Sequence, residues 1–320
     1  MTYHHSKNAG NMGDVFKHLV LLGVVGHLFQ QKKATRPRDF TFGYAESHCG
    51  APEHQLVDTE GAAFRYAETH SGGEGAVLSG NQKYNGWRSG VLRLVKDGNF
   101  SGLQPGSPLS LYCTAVQNLM APVLSNNEQL PGTEVRYPSS WRWVMQYLAR
   151  DQQHPWFNLS LFDTNAEVAK SIKDTLDGDP ARLNIEYSCS DGYKGVKSLG
   201  AYRQDLVFID PPYKADGKKP SRDWVDVAKL SRHLHHLGVP HLIWYPFFTL
   251  VNPQKLLKEV KLPALEFLDP QVPDNNLLMK GSGMILGGLP VDEAVVLLSD
   301  LQQQLLGVFA NIGIVNLYRP

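Results

Sequence analysis

Leu206-Val-Phe-Ile-Asp-Pro-Pro-Tyr213 is the stretch that decides the fold. Its first four residues are wholly apolar and rich in β-branched and aromatic side chains. That composition suits a strand buried on both faces of a parallel sheet. Two prolines then end the strand, because neither can donate to a hydrogen-bonded ladder. They also fix two φ angles, so Asp210 and Tyr213 sit on a stiff turn at the strand's carboxyl end. In open α/β sheets that end is where ligands bind.

Working outward, the same pattern of short apolar strands alternating with amphipathic helices recurs. Phe40–Ala45, Leu159–Asp163, Arg182–Tyr187, His241–Trp244, Ala264–Leu268 and Met284–Leu286 read as further strands. Ala166–Leu176, Trp224–Leu237 and Val291–Val308 read as helices, and apolar residues from Asp14 onward (Val15, Leu19, Leu22, Val25) recur at helical spacing. Strand–helix alternation over this length predicts a doubly wound, mostly parallel α/β sheet. The segment 52–134 breaks the alternation with glycine-rich turns and helical pieces at Val91–Lys96 and Leu111–Leu119. It is expected to be an inserted, mostly helical subdomain, with 1–51 and 135–320 forming the main domain.

Composition narrows the function. The 320 residues carry 31 basic and 31 acidic side chains, so no global field draws the chain to nucleic acid and any such contact must be local. Cys49, Cys113 and Cys189 are far apart and form no CxxC pair, which argues against a zinc site or a disulfide framework. No metal is expected. The opening Met1–Gly10 lacks the apolar core of a secretory signal, so a cytoplasmic enzyme is the expectation. Three local features are weak on their own. The first is the small-residue turn Glu46-Ser-His-Cys-Gly-Ala-Pro52 after the first strand. The second is an acid ending a strand at Asp163. The third is the pair Asp191-Gly192. Each has an alternative reading as an ordinary turn or helix cap.

Asp-Pro-Pro-Tyr after an apolar strand resembles the catalytic motif of amino-methyltransferases that use S-adenosylmethionine. An exocyclic adenine amine is a poor nucleophile, because its lone pair is delocalised into the ring. The Asp210 carboxylate and the Pro211 carbonyl, accepting its two N–H bonds, would aim that lone pair at a methyl group, and Tyr213 offers a ring on which an extruded base could stack. More specifically, the chain resembles the bacterial family of large-subunit ribosomal RNA adenine-N6 methyltransferases designated J. The opening Tyr3, His5, Ser6, Ala9, Gly10, Asn11, Asp14, Val15, Lys17 and His18, the turn Asp210–Tyr213, Trp244-Tyr-Pro246 and Ser282-Gly-Met284 follow in that family's order.

The resemblance implies a Rossmann-like S-adenosylmethionine-dependent methyltransferase fold completed by an antiparallel last strand. It implies a cofactor site lined by His18, His48, Ser140, Asp163, Asp191, Gly192 and Asp210, with the N-terminal segment covering the cofactor. The substrate would be 23S ribosomal RNA, naked or in early assembly, met by Tyr213 and by the basic loop residues Lys214, Lys218, Lys219 and Arg222. Arg232, His233, His235 and His236, or Lys32, Lys33, Arg36 and Arg38, are further basic clusters. The protein is expected to act as a monomer without a membrane. Four departures stand out: Pro52 replaces the last glycine of the family's cofactor loop, Ser139 replaces the glycine of Y-P-G-S-P, Asp163 replaces a glutamate, and Gly288-Leu-Pro290 replaces a terminal N-P-P. An adenine-N6 methyltransferase acting on DNA and a non-catalytic RNA-binding protein of the same fold are the alternatives.

Overall fold

The computed structural model describes residues 9–36, 40–57, 86–131, 134–151, 156–176, 183–199, 204–213, 221–248, 253–272 and 279–320. In chain order the elements begin with α1 (Met12–Thr35), β1 (Thr41–Glu46) and β2 (Glu53–Gln55). A π-turn at Arg88–Leu92 runs into α2 (Arg93–Asp97), then α3 (Pro108–Ser125), β3 (Arg136–Pro138) and α4 (Ser140–Leu148). The alternating part follows as β4 (Trp156–Asp163), α5 (Ala166–Leu176), β5 (Leu183–Cys189), α6 (Gly192–Ser198), β6 (Leu206–Ile209) and α7 (Asp223–His236). Last come β7 (His241–Phe248), α8 (Gln254–Val260), β8 (Ala264–Leu268), β9 (Met279–Gly287), α9 (Val291–Val308) and β10 (Ile314–Tyr318).

Eight of these strands form one sheet in the order β10-β8-β9-β7-β6-β1-β4-β5. From β5 to β7 every pairing is parallel. Strand β9 runs antiparallel between β7 and β8, and β10 adds an antiparallel edge on β8. This is the doubly wound sheet expected from the sequence, closed by the antiparallel strand of the Rossmann-like methyltransferase fold. The winding reverses between β1 and β6, which opens a crevice at their carboxyl ends.

One face of the sheet is covered by α1, α3, α4, α5 and α9, whose apolar side chains share a core with Phe42, Leu206, Phe208 and Met284. The other carries α6, α7 and α8 against Val207, Ile209, Ile243 and Ile285. Alternate residues of β6 therefore enter opposite cores, and all four are buried, as its continuous apolar run requires. Helix α1 is buried nearly all round, from Val15 to Phe29. It is long and apolar enough to cross a membrane, but that character also belongs to a helix sandwiched within a core.

Several boundaries differ from the sequence expectation. Helix α1 begins at Met12, not Asp14, because Asn11 is its N-cap and accepts the Asp14 N–H. Strand β7 continues through Pro246 to Phe248. Its neighbour β6 reaches only Ile243, so beyond that point one edge of β7 tolerates a proline. Strands β2, β3 and β10 and helices α6 and α8 have no counterpart in the sequence reading. In the segment 86–131, α3 packs on α1 and α4 and contributes Leu109, Tyr112, Val116 and Met120 to the large core.

Candidate active site

The crevice between β1 and β6 gathers carboxylates at successive strand ends. Glu46 ends β1, Asp163 ends β4, Asp210 follows β6, and Asp191 caps α6 just after β5. A buried cation reaches one of them, Asp210. Lys17, on the second turn of α1, places Nζ 2.8 Å from Asp14 Oδ1 and 2.8 Å from Asp210 Oδ2. Burial alone would lower its pKa, but the two carboxylates outweigh that and raise it above the ordinary lysine value, so Lys17 is a fixed positive charge. Asp14 is fixed in turn by the Gly10 N–H, which donates to its Oδ2 at 3.0 Å.

The turn after β6 is stiff. Tyr213 has φ of +48°, a left-handed conformation that a bulky side chain adopts only when its surroundings enforce it. Its hydroxyl donates to the Trp244 carbonyl at 2.7 Å, and its ring centroid lies 4.4 Å from that of Trp224. The ring is 1% exposed. Tyr213 is thus covered, whereas the sequence reading offered it as an open stacking face; in this conformation it locks the Asp210 turn onto β7 and α7. Lys17 also lies over the Trp244 ring, 5.6 Å from its centroid.

Glu46 is almost completely buried, and Tyr44 donates to its Oε2 at 3.0 Å. Burial first, and then the nearby Asp210 charge, push its pKa well up. The sequence reading passed over both Lys17 and Glu46 as chemical groups. An acid closing an otherwise apolar strand, and a lysine inside an apolar helix, were the available signals.

The loop leaving β1 is pinned by its own backbone. The Ser47 N–H donates to Phe208 O at 3.0 Å, Cys49 N–H to Phe162 O at 3.0 Å, and Gly50 N–H to Asp163 Oδ2 at 3.1 Å. Asp163 also accepts the Asn165 N–H at 2.8 Å, so each of its oxygens holds one backbone donor. Gly192 closes on the same loop: a Cβ there would stand 1.6 Å from the Ser47 carbonyl oxygen, so only glycine fits. His48 meets Ser47 Oγ through Nδ1 at 2.8 Å and packs edge-on against Tyr193, ring centroids 5.0 Å apart. Desolvation lowers its pKa, against the pull of the nearby carboxylates, and so favours the neutral imidazole. Tyr193 donates to Asp223 at 3.0 Å, which ties the start of α7 to α6.

His18 lies one residue, about 100° of helix, beyond Lys17 and faces β3 and α4. It is 2% exposed, with Nδ1 2.7 Å from the Tyr137 hydroxyl and Nε2 3.2 Å from Ser140 Oγ. Tyr137 continues to the Tyr112 hydroxyl at 2.7 Å. The structure thus joins His18 to Ser140, and His48, Asp163 and Gly192 to one another around the loop. Arg222 is exposed at the start of α7. Lys214, Lys218 and Lys219, with Tyr3, His5, Ser6 and Arg38, lie outside the described residues. Among the described residues no cluster of three or more metal-ligating side chains occurs.

Fold and crevice together define a Rossmann-like methyltransferase architecture. No family model matches the sequence. The chain is 22% identical over 267 residues to ribosomal RNA large subunit methyltransferase J of Haemophilus influenzae, covering 83% of this chain and 77% of that protein. It superposes on a crystal structure of a Legionella pneumophila protein described as DUF519 with a TM-score of 0.62 at 17% identity, covering 97% of this chain and 98% of that one. The resemblance read from the sequence motifs, to the large-subunit methyltransferases designated J, is therefore borne out along most of the chain.

Proposed function

We propose that this chain transfers a methyl group from S-adenosylmethionine to the exocyclic N6 of an adenosine in 23S ribosomal RNA. The observation that carries the reading is Asp210: a carboxylate on a rigid turn at the carboxyl end of β6, at the reversal point of the sheet, held by Lys17. The similarity to methyltransferase J supplies the substrate class.

The residues around the crevice fit the cofactor's chemistry. Asp163 and Asp191 suit ribose hydroxyls and an adenine amine. The close approach of Gly192 to Ser47 brings α6 against the loop with no side chain between them. S-adenosylmethionine, when bound, supplies an electrophilic methyl. The protein's part is alignment. Asp210 and the Pro211 carbonyl accept the two N–H bonds of the adenine amine and direct its lone pair. The amine proton becomes acidic only as the N–C bond forms and the S–CH3 bond breaks to leave S-adenosylhomocysteine, so no strong base is needed beforehand and the proton passes to solvent. Asp210 stabilises the positive charge that develops, and positioning supplies much of the rate.

Tyr213 shapes this turn in the resting protein, and its ring would have to leave Trp224 to stack on a base. His48 completes the cofactor side of the crevice; His18 and Ser140, buried against each other and Tyr137, would have to part to meet the cofactor; and Arg222 with Lys214, Lys218 and Lys219 would meet RNA phosphates. On this reading 52–134 is an inserted helical unit, the N-terminal segment folds over the cofactor, and the enzyme works in the cytoplasm as a monomer on naked or early-assembly RNA.

The test is a tritiated-methyl transfer assay on large-subunit ribosomal RNA lacking the modification, with Asp210→Ala in parallel. Label recovered as N6-methyladenosine with the wild type alone is the expected result, with S-adenosylmethionine still bound by the variant. Wild-type turnover on DNA but not on RNA would overturn the substrate assignment, and substantial activity in Asp210→Ala would overturn the catalytic one.

A further inference from the structure

Ser139 stands at the N-cap of α4, where a serine hydroxyl ordinarily accepts a hydrogen bond from the first turn of the helix. Here it makes no capping bond. Its Oγ instead donates to the Pro52 carbonyl at 3.0 Å, and its backbone N–H donates to the same oxygen at 2.9 Å. Both residues are buried. A double donation across 87 residues of sequence, at the expense of a helix cap, shows where this side chain's preference lies.

Pro52 ends the loop that leaves β1. Having no N–H, it cannot be held as a donor, and its ring fixes φ. Its carbonyl is the handle that remains. Further along, the β2–β3 ribbon continues the attachment, with Glu53 opposite Pro138 and Gln55 opposite Arg136. Two residues earlier in the loop Gly50, with φ of +62°, is held by Asp163. Pro52, Ser139 and Asp163 are three of the positions at which this chain departs from the pattern of the family it resembles; Gly288-Leu-Pro290 departs elsewhere. In the structure the first three meet on this one loop.

We propose that Ser139 is a positioning residue for the cofactor loop 47–52, and that Ser139 with Pro52 and Asp163 with Gly50 form a two-point clamp replacing the backbone freedom of a glycine-rich loop. These three departures are then one linked set that presents the loop ready-shaped, not separate lesions in a failing site. The idea rests on the cofactor reading above, and its test keeps the two apart.

Ser139→Ala removes the hydroxyl bond while leaving the backbone one, and it costs α4 no cap because none is made. Ser139→Thr restores the donor. Losing one neutral hydrogen bond of about 0.5–1.5 kcal/mol predicts a roughly two- to tenfold loosening. Amide hydrogen exchange in peptides spanning 47–52 should quicken by that factor in Ser139→Ala and return towards wild type in Ser139→Thr. Calorimetry should show S-adenosylmethionine bound about two- to tenfold more weakly by Ser139→Ala, with KM for the cofactor raised alike and kcat within twofold. Exchange and affinity equal to wild type in Ser139→Ala would overturn the proposal. So would a global fall in melting temperature with kcat and KM both damaged, and no rescue by threonine. If the wild type binds no S-adenosylmethionine, the cofactor reading falls, and with it the assignment of Ser139 to a cofactor loop, whatever exchange says of the clamp.

Discussion

Replacing Lys17 with methionine removes the one buried cation described between Asp14 and Asp210 while keeping the apolar stem. Each carboxylate lies 2.8 Å from Nζ, and the side chains of Asp14 and Lys17 are only 5% exposed. At an effective dielectric of about 20, one such contact is worth roughly 6 kcal/mol of gross attraction, most of which is offset by the desolvation of the ions. Deleting one partner leaves the other charges buried without that compensation, at a net cost of about 3–5 kcal/mol. The wild-type triad carries one net negative charge, and the variant would carry two like charges facing each other. Urea denaturation should therefore show Lys17→Met less stable by about 3–5 kcal/mol. Methyl transfer at a temperature where the variant remains folded should fall by about a hundredfold as Asp210 loses its alignment. Adding Asp14→Asn removes one of the two repelling charges and should recover part of the stability, giving a coupling of about 1–3 kcal/mol in the cycle. A single variant within about 1 kcal/mol of wild type, turning over within threefold, would refute this account of the triad.

Three further outcomes are expected. Gly192→Ala must push its new Cβ away from the Ser47 carbonyl, so the loop and α6 separate; stability should fall by about 1–3 kcal/mol and cofactor binding by calorimetry with it. Arg93, 12% exposed, pairs with Asp269 at 2.5 Å and donates to the Ile312 carbonyl at 2.7 Å, so Arg93→Met should cost about 3 kcal/mol by urea midpoint without changing KM for the cofactor. His241 is buried between Ser231 and the Val239 carbonyl, and desolvation pushes its pKa down to about 4. Because the folded value lies below the unfolded value of about 6.5, the unfolded chain binds the proton more readily. The stabilisation is complete above pH 6.5 and is lost as pH falls towards 4, by up to about 3 kcal/mol; His241→Gln should flatten that part of the urea-stability profile.

What could be read from the sequence, and what could not, follows from the range of the interactions involved. Leu206–Ile209, Ala264–Leu268, Ala166–Leu176 and Val291–Val308 have the bounds in the structure that their side-chain periodicity implies, because burial on two faces or one face writes a local pattern. Strands β2 and β3 have no such pattern. They are three residues each and exist because Pro52 and Ser139, far apart in the chain, meet. Edge strand β10, with Ile314 half exposed, likewise takes its identity from β8. The site divides in the same way. Asp210 was visible because two prolines announce a rigid strand end, and Asp163 and Asp191 because acids follow strands. Lys17 was visible only as a member of a motif, since nothing local says that a lysine in an apolar helix points at a carboxylate 193 residues away. Pro52, Ser139 and Asp163, read singly, weaken the match to the family. Read through the contacts, Asp163 takes the Gly50 N–H and Ser139 takes the Pro52 carbonyl, so each departure sits where it restrains the same loop. A departure from a motif is therefore evidence of lost function only after its spatial partner has been found unchanged, and at Pro52 and Ser139 both members of the contact differ.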